Sequence, residues 1–327
     1  MDETGGRPSS GQAFGCVGSP CYDGTVRAVS LLPAATEIVA ALGMLDHLVA
    51  VSHECDYPPA VNDLPRVTRC AIHGNALPSA DIDRWVKSEL ERTGTLYTMD
   101  EPLLRRLAPD VIITQRLCDV CAVGFESVTA LAATLPGPPH VVNLEPQTLA
   151  EVFEDIRRVA TALGVERRAD QVIADLRRRV EAVRARAASS SRRRCVLLEW
   201  IDPPFRSGHW DPELVMLAGG EDPVGRSGED AAEVGWDEIR AAQPEVLVIA
   251  CCGFDLARTR EDMPILRGYP GFADLPAVRA SEVYLVDGSA YFSRPGPRLV
   301  DSLELLAPLV HPELYPDAAL PAGVVRA

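Results

Sequence analysis

The chain has 327 residues, and its 32 Lys and Arg against 47 Asp and Glu give a net charge of −15 with histidine neutral. At roughly 150 residues per domain this length suits about two domains, and 47% hydrophobic with 24% charged residues is an ordinary globular composition. The acidic excess excludes the basic face that phosphate neutralisation needs, so a nucleic-acid partner is not expected. Docking on anionic lipid is disfavoured for the same reason.

Residues 1–24 are acidic, then polar and rich in Gly, Ser and Pro, and read as a disordered tail. They lack the basic start and the apolar run of ~7–15 residues of a signal peptide. Ala13-Phe14-Gly15-Cys16 is faintly similar to a lipoprotein cleavage site, but no apolar run precedes it. No run of ~18 apolar residues occurs, so no membrane insertion is expected. These features together predict a cytoplasmic location. The nine cysteines are an odd number. A chain this long needs no disulfide staples. Their neighbours His, Glu and Asp suit reduced thiols or metal ligands better.

After the tail, short apolar runs alternate with amphipathic helical patterns. Strands are predicted at 27–32, 48–52, 111–114 and 141–144, with helices at 34–42, 81–92, 103–108 and 127–135. Strands that alternate with helices imply parallel pairing. Two helical stretches follow, 149–163 ending at Gly164, and 166–187, whose 22 residues would span ~33 Å. The second carries one apolar stripe, Val172, Ile173, Leu176, Val180 and Val183, on an otherwise charged helix, and reads as solvated with one packed face. A second alternating block has strands at 195–200, 246–250 and 283–286 and helices from 212, 236 and 297.

The two blocks share a corner: Ala108-Pro109-Asp110-Val111 in one, Gln243-Pro244-Glu245-Val246 in the other. The expected organisation is an N-terminal α/β lobe at 25–147, a helical connector at 148–190, a C-terminal α/β lobe at 191–312, and a C-terminal tail at 313–327. The fold class is thus α/β, with two Rossmann-like lobes joined by a long rigid helix.

In open α/β sheets ligands bind beyond the carboxyl ends of the strands. Those positions carry His53, Glu54, Cys55, Cys118, Cys121, Glu199, Trp200, Trp210, Cys252, Asp255, Tyr291, Phe292, Arg294 and Arg298. His53, Cys55, Cys118, Cys121 and Cys252 form a candidate soft-metal set, for zinc or iron. The alternative for each cysteine is a buried free thiol, and for His53 a hydrogen-bonded rim residue. Trp200, Trp210, Tyr291 and Phe292 could pave a wall for a large planar ligand. Arg258, Arg260, Arg294 and Arg298 could grip carboxylates or phosphates in pairs of bonds, although surface roles are the default in an arginine-rich chain. Glu199 and Asp255 complete the candidate ligand set. No GxGxxG, P-loop or Gly-x-Ser-x-Gly motif occurs.

The string Arg27 to Ile38, RAVSLLPAATEI, with Ala41-Leu42-Gly43, resembles the opening of helical-backbone metal receptors, the cobalamin- and iron-chelate-binding proteins of ABC importers. Leu107 to Ile112 and Val283 to Gly288 are similar to that family too, so the likeness covers about residues 25–312. It implies class III substrate-binding-protein architecture, limited hinge motion and a metal chelate held between lobes. SHECDYPP, CDVCAV, CCGFD and YFSRPGPR resemble a cysteine-rich branch of it. The resemblance also implies an ABC permease as a partner.

Three functional readings follow. The first is a monomeric binder of a corrinoid or other metal chelate, without catalysis. The second is a cytosolic metalloprotein or metal-dependent enzyme built on the Cys/His set, with Glu54 or Glu199 as general base. The third is a plain importer component, exported by a route the N-terminus does not display.

Overall fold

The computed structural model describes residues 25–70, 77–116, 123–317 and 319–327. The first lobe is built on a four-stranded parallel sheet. Its strands are β1 (Ala28–Ser30), β2 (Leu48–Val51), β5 (Val111–Gln115) and β6 (His140–Leu144), in the order β2-β1-β5-β6. Every residue of β1 and β5 is buried, as expected where helices cover both faces of a parallel sheet. Helix α1 (Pro33–Ala41) opens with proline at its first position, where the missing N–H costs nothing.

A short antiparallel ribbon, β3 (Thr68–Cys70) with β4 (Tyr97–Met99), stands apart from this sheet, and α2 (Ser79–Thr93) lies between its strands in sequence. The helices α3 (Glu101–Leu107) and α4 (Phe125–Ala132) contribute Leu104, Val128 and Leu131 to the apolar layer that holds Val29 and Ile112.

Helix α5 (Leu149–Leu163) begins with a reciprocal capping box between Thr148 and Glu151 and ends at Gly164 in the left-handed region. Helix α6 (Glu166–Ala187) buries Ala169, Ile173, Leu176, Val183 and Ala187, the single packed stripe that its periodicity predicts. The connector is therefore two helices, and α6 alone is the long one.

In the second lobe β7 (Arg193–Trp200), β11 (Val246–Ile249) and β12 (Val283–Val286) form a parallel centre. Short antiparallel strands flank it, β8 (Phe205–Arg206) and β10 (Ala232–Glu233) on one side and β13 (Val324–Arg326) on the other, and β9 (Gly220–Glu221) runs parallel beside the start of β7. The expected C-terminal tail thus returns to the sheet, with Val324 paired to Val286. The helices of this lobe are α7 (Asp211–Leu217), α8 (Trp236–Ala242), α9 (Leu256–Gly268), α10 (Pro276–Arg279) and α11 (Leu299–Val310).

The repeated corner has one geometry in both lobes. Ala108 and Gln243 each close a helix in the left-handed region, at φ 43° and 48°, and a proline then directs the chain into β5 or β11. One apolar core runs unbroken through both lobes. It takes Ile38 and Val39 from α1, Val152 and Ile156 from α5, Ile173 from α6, Leu214 from α7 and Leu303 and Leu306 from α11. No helix among the described residues is long and apolar enough to cross a membrane.

Candidate ligand cleft

The carboxyl-end loops of the two sheets meet. Arg294, in the loop between β12 and α11, reaches across to Asp56 in the loop after β2, with Nη1–Oδ1 2.5 Å and Nη2–Oδ2 3.1 Å. Below this pair, Glu37 of α1 sits between two second-lobe arginines. Its Oε2 accepts from Arg298 Nε at 2.8 Å, and its Oε1 from Arg298 Nη2 at 2.6 Å and Arg294 Nη1 at 3.4 Å. The Glu37 side chain is 2% exposed, whereas that of Asp56 is 64% exposed. Arg298 also lies 4.1 Å over the ring of Tyr57 and 6.0 Å over that of Tyr291. The two arginines expected to grip a ligand are therefore committed to carboxylates of the opposite lobe.

On the first-lobe rim, His53 Nδ1 lies 2.8 Å from Thr68 Oγ1 and Nε2 lies 3.1 Å from Glu54 Oε1. Its ring centre is 5.5 Å from that of Tyr97. Burial alone would lower the imidazole pKa, but contacts with Cys70 and Glu54 outweigh it and raise it to about 9. Hydrogen bonding to His53 in turn holds the Glu54 carboxyl below its usual range. His53 is thus held toward its charged form beside the exposed carboxylate of Glu54. Cys70, at the end of β3 and opposite Tyr97 of β4, also touches His53, a contact that one cysteine in a polar run does not signal.

Cys55 does not belong to this rim. It is 1% exposed within the shared core, and its sulfur is 3.0 Å from Thr36 Oγ1 and 3.3 Å from Ser52 Oγ. Burial pushes its thiol pKa up, so it is a poor source of thiolate. Arg66 donates to the carbonyls of Ser52 and Cys55 and pins the turn that directs this side chain inward.

On the second-lobe rim Glu199 Oε1 accepts the Gly208 N–H at 2.8 Å, and burial raises its carboxyl pKa to about 8. Asp211 is buried nearby, pushed well above the usual carboxylate range by burial and by Glu199, and its Oδ1 has no hydrogen-bond partner. Asp222 instead collects N–H donors from Leu197, Val224 and Gly225 and the Ser207 hydroxyl, so it organises the loop.

Trp200 is half-buried against Phe254, with ring centres 4.7 Å apart, and Tyr291 is half-buried beside Arg298. Trp210 and Phe292, expected as wall residues, do not line the cleft. Both lie in the shared core, and Trp210 Nε1 donates to the Phe292 carbonyl at 3.0 Å. Asp255 caps α9 by accepting the Arg258 N–H, so its carboxylate is already used by the backbone. Cys251 is buried, while Cys252 is exposed. Cys118 and Cys121 lie outside the described residues. Among the described residues no three His, Cys, Asp or Glu side chains are placed to hold a metal ion. His53 and Cys252 thus stand on different lobes, and Cys55 turns away from both.

The family model for periplasmic binding proteins matches residues 29–290. The chain belongs to that family. It is 25% identical over 288 residues to the vitamin B12-binding protein of Vibrio cholerae serotype O1, covering 85% of this chain and 86% of that one. The vitamin B12-binding protein of Photorhabdus laumondii is 23% identical over 287 residues, covering 87% and 88%. Among solved structures, the periplasmic vitamin B12-binding protein BtuF of Vibrio cholerae superposes with a TM-score of 0.62 at 22% identity, covering 89% of this chain and 98% of that one. The periplasmic heme-binding protein RhuT from Roseiflexus sp. RS-1 gives 0.67 at 23% identity, covering 89% and 100%. These likenesses establish two-lobed substrate-binding-protein architecture. The expectation of a cytoplasmic location is overturned, since the family and these relatives are periplasmic binding proteins. It rested on the polar first 24 residues, which lie outside the described part of the chain.

Proposed function

We propose that this chain binds a corrinoid or a related metal chelate between its lobes and presents it to an ABC permease. The observation that carries the reading is the match over both lobes to vitamin B12-binding relatives, at 85% coverage, combined with carboxyl-end rims that meet at Asp56 and Arg294. Tyr57 and Tyr291 supply aromatic surface beside Arg298 at that junction, and Trp200 adds a half-buried ring on the second-lobe rim, a set suited to the edge of a macrocycle. His53 has Nδ1 against the Thr68 hydroxyl and Nε2 against Glu54, so it shapes the first-lobe rim rather than offering a lone pair to a metal. Of the metal set, Cys55 is buried in the shared core and Cys118 and Cys121 lie outside the described residues, so the chelate reading rests on the relatives and the meeting rims instead.

Absorbance titration and equilibrium dialysis with cyanocobalamin, cobinamide and haem test this reading. Saturable retention of at least one chelate at micromolar concentration is the expected result. Failure of all three to be retained at tens of micromolar protein overturns it.

A further inference from the structure

Helix α2 belongs to the first lobe by connectivity and to the second by packing. Its chain neighbours are β3 and β4, and Asp100, just after β4, donates to the Val67 carbonyl, which anchors the ribbon to the first lobe. Its apolar side lies elsewhere. Ile82, 9% exposed, belongs to the second lobe's outer core with Ile201, Val224, Val234 and Trp236, and Val86 packs on the same group. These residues are four apart and share one helix face.

Polar contacts repeat the pattern at the start and the middle of the helix. At the start of the helix, Arg258 Nη2 donates to the Leu77 carbonyl at 2.7 Å. That guanidinium is buried, 3.1 Å from Asp262 and 4.3 Å over the Phe254 ring. Further along, Lys87 Nζ lies 2.5 Å from Glu233 of β10. Lys87 is the sole lysine of the chain, and Arg258 is one of the four arginines singled out as anion grips. Both instead hold α2 to the second lobe.

We propose that α2 is a clasp between the lobes, tethered covalently to one and seated by side chains on the other, so that separation of the rims requires its release. An opening motion must either drag the β3–β4 ribbon with the second lobe or lift Ile82 and Val86 into water. The ribbon also carries Thr68 and Cys70, the partners of His53, so release of the clasp disturbs the first-lobe rim. The inference does not rest on the identity of any ligand.

Hydrogen–deuterium exchange and small-angle scattering on the full chain test it without ligand. Ile82→Asp places a charge in the seat. It is expected to raise amide exchange across 79–93 at least tenfold, to raise exchange around Val224 to Trp236 as their cover is lost, and to increase the radius of gyration. Exchange in α5 and α6 should stay at the wild-type level, which reports that the fold is intact. The milder Lys87→Glu change is expected to raise exchange in α2 about twofold to threefold, and Glu233→Lys in the same chain to restore it. Faster α2 exchange with an unchanged radius of gyration would show a decorative helix and overturn the proposal. Lack of rescue in the charge swap would also count against it.

Discussion

Glu37 gives the sharpest test of how the lobes are held. Its carboxylate lies between Arg294 and Arg298, and a Glu37→Gln change keeps the shape while deleting the charge. At an effective dielectric near 20, unit charges ~4 Å apart attract by about 4 kcal/mol. Removal of one partner from a buried pair costs roughly 3–5 kcal/mol, because the other charge is left uncompensated. Arg294 retains Asp56, so the lower end applies, about 3 kcal/mol. Urea denaturation followed by circular dichroism reads this loss. With a slope of roughly 3 kcal/mol per molar urea, the midpoint should fall by about 1 M. Asp56→Asn is the control: it touches the same Arg294, but its side chain is 64% exposed, so a loss below about 1 kcal/mol is expected. Equal losses from the two variants, or a Glu37→Gln loss below about 1 kcal/mol, would refute the reasoning that burial sets the value of this network.

The pKa of His53, raised to about 9 against an ordinary 6.5, makes its contribution to stability complete below 6.5 and lost as pH climbs through 9. His53→Asn should therefore flatten the thermal-stability profile between those values in a differential scanning series. Glu199 works in the same direction from the opposite charge type. The folded state keeps its proton up to about 8, while the unfolded chain releases it near 4.5, so stability falls across that window as pH rises. Glu199→Gln should remove that part of the slope and melt above the parent at pH 8. Gly288 lies against β11's carboxyl end, where an added Cβ would stand 2.2 Å from the Cys251 carbonyl oxygen. Gly288→Ala should cost about 1–3 kcal/mol in the same urea assay, since backbone must move on both sides.

Much of the architecture is legible in residue order. Helix α6 keeps its bounds because a 22-residue stripe with charged flanks has one consistent burial solution. The corners at Pro109 and Pro244 are readable because proline stops a helix and an apolar run follows. Strands β8, β10 and β13 are two or three residues long and too short for any period to register. Helix α9 contains Pro264 and mixes charged with apolar positions, which conceals it.

The rim was located from strand ends, but the direction of each side chain was not. Cys55, Trp210 and Phe292 turn into the core, and no local pattern separates that outcome from a cleft-facing one. Glu37 was visible only as part of a family string. Its role depends on Arg294 and Arg298, 257 and 261 residues further along the chain.

The unbroken core through α1, α5, α6, α7 and α11 has a consequence for recognition. Lobes that share their oil can part only a little before wetting it, so any opening that release of α2 allows is small, and the relation of the two rims is largely set before a guest arrives. A mould of that kind loses little freedom on filling, and its selectivity rests on fit to a fixed outline rather than on closure around whatever enters. It also ties the fate of the two sheets together: heat or denaturant that loosens one lobe strips apolar cover from the other, and both should melt in a single transition.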